Sequence, residues 1–64
     1  MLEKEMQKEI IQAGINYLLS LITDKAETLS NHPKDDSEFI EMIERQMDKL
    51  IEKKDYAVNW RNSI

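Results

Sequence analysis

No cysteine occurs in this chain, which removes disulfides and thiolate metal sites and gives no sign of an oxidising compartment. Glycine and proline occur once each. The residues that punctuate turns are therefore nearly absent, and no glycine-rich loop exists to cradle a phosphate. The single histidine, His32, has no nucleophile and orienting group spaced to join it, and nucleophilic catalysis needs such a set. Basic residues are the minority, 9 Lys and Arg against 13 Asp and Glu, for a net charge of −4. That balance disfavours nonspecific binding to nucleic acid or an anionic membrane, since both need a basic surface. The main apolar stretch, Ile10 to Ile22, is too short for a bilayer span of about 20 residues. Glu3, Glu5 and Glu9 precede it, the opposite of a signal peptide's basic start. The expectation is a soluble, cytoplasmic protein.

What is present is helix-forming material. Glu, Lys, Leu, Ile, Met and Gln dominate, and 34% of residues are charged. Sixty-four residues make at most one small domain, which buries only about 60% of the surface its unfolded chain exposes. Ordering costs about 1.5 kcal/mol per residue, so burial and entropy nearly cancel at this size. Without cysteine, regular helix packing and association remain as the routes to stability.

The spacing predicts an all-α, single-domain hairpin over residues 1–64, with helix 1 at about 2–30, a loop at about 31–35 and helix 2 at about 36–62. In helix 1, Ile11, Ile15, Leu18, Ile22 and Leu29 form a 4-3 spaced seam, with Lys25 at the one position not apolar. A second stripe of Ile10, Ala13, Gly14, Tyr17 and Leu21 lies beside it. With Leu19 on the far flank, the apolar positions from Ile10 to Ile22 sweep roughly 240°, where one neighbour needs an apolar stripe of only about 100°. Pro33 breaks the pattern, because it disfavours helical geometry at His32 and cannot donate a backbone hydrogen bond. Asp35 with Glu38 fits a capping box, and Asp36 or Ser37 could cap instead. Helix 2 carries a narrower seam of Ile40, Ile43, Met47, Leu50, Lys54 and Ala57.

A short connection makes the helices antiparallel neighbours. Folding about Pro33 and matching the best seams sets Ile22 opposite Ile43, Leu18 opposite Met47 and Ile15 opposite Leu50, and leaves Lys54 opposite Ile11. Lys54 is most simply a lysine whose stem packs while its ammonium reaches water. This hairpin leaves Ile10, Ala13, Gly14, Tyr17 and Leu21 uncovered, an apolar patch of the kind that marks an interface. A two-fold homodimer closing a four-helix bundle is the simplest cover. Gly14 would let another helix approach, against a cost of about 1 kcal/mol for glycine inside a helix. In plan the chain resembles the Rop family of plasmid RNA-binding proteins, whose hairpins dimerise into four-helix bundles. The likeness covers architecture; no family motif is matched, and no RNA-binding residue carries over.

Other groups have two readings each. His32, Asp35, Asp36 and Glu38 are the one histidine-with-acids cluster, but lack metal-ligand spacing and suit the positive end of a helix. The stripe Glu41, Glu44, Asp48, Glu52 and Asp55 could imitate nucleic-acid phosphates, yet Arg45, Lys49, Lys53 and Lys54 interrupt it. Tyr56, Trp60 and Arg61 are residue types enriched at interface hot spots. The plainer reading packs Trp60 on Met6 and Leu2. Met47 reads as core and Met42, off the seam, as a possible contact for a partner. No metal, cofactor, small-molecule substrate or enzymatic activity is expected.

The functional expectation is a non-enzymatic protein that binds and modulates a larger protein as a homodimer. Its most concrete form, suggested by composition, is a phage- or plasmid-encoded regulator or inhibitor. A Rop-like RNA binder and a structural assembly subunit are the alternatives. For the RNA reading, Lys4, Lys8, Lys25, Arg45, Lys49 and Lys53 supply scattered charge with no evident strip.

Overall fold

The computed structural model describes residues 2–64, with side chains from Glu3 onward. It is all-α: α1 runs Leu2–Asn31 and α2 runs Ser37–Asn62, packed as a hairpin of 53 × 16 × 10 Å. Asp36 caps α2 by accepting a hydrogen bond from the Phe39 backbone N–H at 3.3 Å. The turn ahead of it is closed by the Asp36 N–H donating to the Pro33 carbonyl at 3.4 Å. Pro33 has no N–H to donate, so the chain leaves α1 here and restarts at the next cap.

Only Ile11, Ile15 and Ile43 are buried among the described residues. Leu18, Ile22, Leu29, Met47, Leu50 and Val58 are half-buried. The seam of each helix therefore faces its partner, and neither is sealed.

The register differs from seam matching by about one heptad. Arg61 donates through Nη1 to the Gln12 side chain. Leu21 and Lys25 line one groove with Gln46, Lys49, Leu50 and Lys53. With Ile22 opposite Ile43, those neighbours would have lain about two turns nearer the start of α2. A slip of one heptad returns each 4-3 seam to an equivalent position, so periodicity reads the same in both registers. The slip brings half-buried Leu29 to the level of buried Ile43. It also draws Ala57, Val58 and Arg61 toward the Ile11–Ile15 end of α1. The first turns of α1 have no helix beside them: every residue from Glu3 to Ile10 is exposed.

Candidate functional site

Two isoleucines adjacent in sequence define the surface. Ile11 is 7% exposed and Ile10 is 70% exposed. The 100° step between neighbours on a helix turns one toward α2 and the other away. Tyr17, two turns on from Ile10, is 65% exposed, and Ala13 and Gly14 between them are exposed. Nothing lies within 4 Å of where a Cβ on Gly14 would sit. Glycine is therefore not required there by packing inside the hairpin. Leu21, at the end of the stripe, is half-buried because it forms part of the floor of the groove against α2. Met6, one turn before Ile10, is 59% exposed and extends the stripe toward the start of α1. The same i, i+4 spacing that joins Ile10 to Gly14 would have included it.

The groove fixes which sides of the two helices share a face. Leu21 and Lys53 line it together. Ile10, Tyr17 and Leu21 recur at helical spacing, and Lys53 and Trp60 are seven apart, so all five belong to one broad side of the hairpin. Trp60 is 56% exposed and Met6 59% exposed, so neither is the core residue that packing of Trp60 on Met6 implies. Leu2, the other residue expected beneath Trp60, lies outside the described side chains. The heptad slip explains the difference, because it moves Trp60 about two turns along α1, from Met6 to the level of Gln12 and Ala13.

The remaining candidates separate. Tyr56 is 74% exposed, with Asn59, Trp60 and Ser63 around one shallow surface. Met42 is 40% exposed near the other end of α2. Arg61 is already engaged, by Gln12 and by Asn62 at 3.4 and 3.3 Å. Lys54, half-buried on the seam, places its Nζ 2.7 Å from Asp55 Oδ1.

Lysines scattered in the sequence converge in space. Lys25, Lys49 and Lys53 rim the groove whose apolar floor is Leu21 and Leu50, with no acid among its lining residues. Sequence reading sees no strip here because Lys25 and the α2 lysines meet only in the observed register.

At the turn, His32 Nε2–H donates to Asp36 Oδ2 at 3.1 Å, and the imidazole stacks on Phe39 with ring centroids 4.0 Å apart. The hydrogen bond from His32, then that from the Phe39 N–H, holds the Asp36 carboxyl below its ordinary value. These contacts brace the cap. Among the described residues no group of three or more His, Asp or Glu is placed to hold a metal ion, and no helix is long and apolar enough to cross a membrane. No protein-family model, curated protein or solved structure matches this chain.

Proposed function

We propose that the chain works by association: a non-enzymatic helical protein that forms a homodimer and, as a dimer, binds and modulates a larger protein. The exposure of Ile10 and Tyr17 beside an already formed hairpin seam carries this reading. Large apolar side chains at consecutive turns of one helix, with two small residues between them, suit a helix–helix contact more than a solvated face. Tyr56, the most exposed of the large apolar side chains among the described residues, is the natural anchor for the second protein, since aromatic anchors dominate interface energetics. A phage- or plasmid-encoded regulator or inhibitor of a host protein is the concrete form.

Capture from a host-cell extract tests it, with wild type and Tyr56→Ala as baits. The expected result is one protein retained in stoichiometric amount by wild type and lost from Tyr56→Ala. Retention of nothing specific by the wild-type dimer would sink the partner-binding reading.

One observation favours a second reading. The Lys25, Lys49 and Lys53 groove gives RNA phosphates a local basic site on an acidic chain. An RNA mobility shift that weakens steeply with salt would support it, and no shift at low salt would end it.

A further inference from the structure

Resting on the homodimer reading, we infer that two copies pack α1 against α1 in antiparallel fashion. The two-fold axis passes between Ala13 and Gly14, and Glu3 of each copy sits against Lys25 of the other. The open stripe is symmetric about its middle. A two-fold contact between antiparallel helices pairs residues equidistant from the axis, so the pattern of large and small side chains must read alike in both directions. Here it does. Counting outward from the Ala13–Gly14 bond, Ile10 pairs with Tyr17 and Met6 pairs with Leu21. The small residues fall at the crossing, where backbones approach most closely, and the larger ones flank it. This gives Gly14 the reason that the isolated hairpin does not.

The same pairing sets Glu3 of one copy level with Asp24 of the other, with Lys25 one residue further along the helix. The lysine side is the one that faces the groove, where Lys25, Lys49 and Lys53 gather. A two-fold axis perpendicular to the plane of the paired helices keeps residues on the same flank of the contact. Glu3 and Lys25 share a flank, and Asp24 lies on the other. An acidic helix start thus meets the one basic groove described on this acidic chain, and the match occurs twice per dimer.

The chain exposes 5185 Å² at 7.6 kDa, where the scaling for compact monomers gives about 4,300 Å². The elongated shape and the uncovered start of α1 produce this excess, which is of the order of the ~800 Å² that each partner buries in a standard interface. The bond from Arg61 to Gln12 also sets Trp60, on the broad side that carries the open stripe, near the level of the axis.

The test is a charge exchange. Glu3→Lys alone and Lys25→Glu alone each turn two attractive contacts repulsive, and each should weaken self-association by roughly tenfold. Mixing the two variants makes every such contact attractive again. A heterodimer with wild-type affinity is the expected result, and the Glu3→Lys/Lys25→Glu double variant should self-associate like wild type. Fluorescence of Trp60, the sole tryptophan, should shift to the blue as the dimer forms. Single variants that dimerise like wild type, or a mixture no tighter than either alone, would overturn this register while leaving the homodimer intact. A folded wild-type monomer at micromolar concentration would instead overturn the homodimer itself.

Discussion

Ile10 and Ile11 are the same residue one peptide bond apart, yet one is open to solvent and the other is core. The difference lies in what the chain itself can cover. The Ile11–Ile15 face meets α2 and is used up in folding. The Ile10–Tyr17 face is also apolar, but α2 can shield only one side of α1. The two faces should therefore respond differently to mutation: the first through folding at any concentration, the second through association.

The largest effect is expected on the closed face. Ile15→Ala should cost about 2 to 4 kcal/mol, the usual range for truncating a buried isoleucine. Because so few residues are buried, urea titration should find that variant largely unfolded. Ile10→Ala, measured at concentrations where the chain is monomeric, should lie within about 0.5 kcal/mol of wild type, as exposed substitutions do. Equal losses at the two positions would erase the distinction between the faces.

Tyr17→Glu comes next. It puts a charge on the open stripe without touching the seam, so the helical circular dichroism of the hairpin should persist. Self-association should fall by tenfold or more, because a buried unpaired charge is costly. Gly14→Ala sharpens the contrast by moving two readouts in opposite directions. With open space around its Cβ, alanine should stabilise the monomeric helix by about 1 kcal/mol. It should also weaken the dimer by holding the crossing helices apart.

The smallest effect concerns the turn. Asp36 has a carboxyl held below its ordinary value of 3.8, chiefly by the hydrogen bond from His32. A depressed folded-state value means its contribution is fully present above the unfolded value and is lost as pH falls through the folded one. The melting temperature should therefore decline below about pH 4, and Asp36→Asn should flatten that decline.

The helices and the break between them were legible because 4-3 periodicity and a lone proline are local signals. The sequence leaves Asp35, Asp36 and Ser37 as neighbouring cap candidates, and the structure uses Asp36. The register was not legible, because a heptad slip leaves the seam pattern unchanged and only the course of the turn distinguishes the two. That one ambiguity explains the rest. It hid the convergence of Lys25 with Lys49 and Lys53, it placed Trp60 over Met6, and it concealed that Arg61 binds Gln12. The open stripe, by contrast, depends on helix phase alone. Its exposed members were readable, while the partial cover of Leu21 required the register.

Sedimentation equilibrium of the wild-type chain at micromolar concentration decides whether the open stripe meets its own copy. A mass of two chains, reverting to one chain in Tyr17→Glu with its helices intact, is the predicted result. A folded wild-type monomer would contradict it.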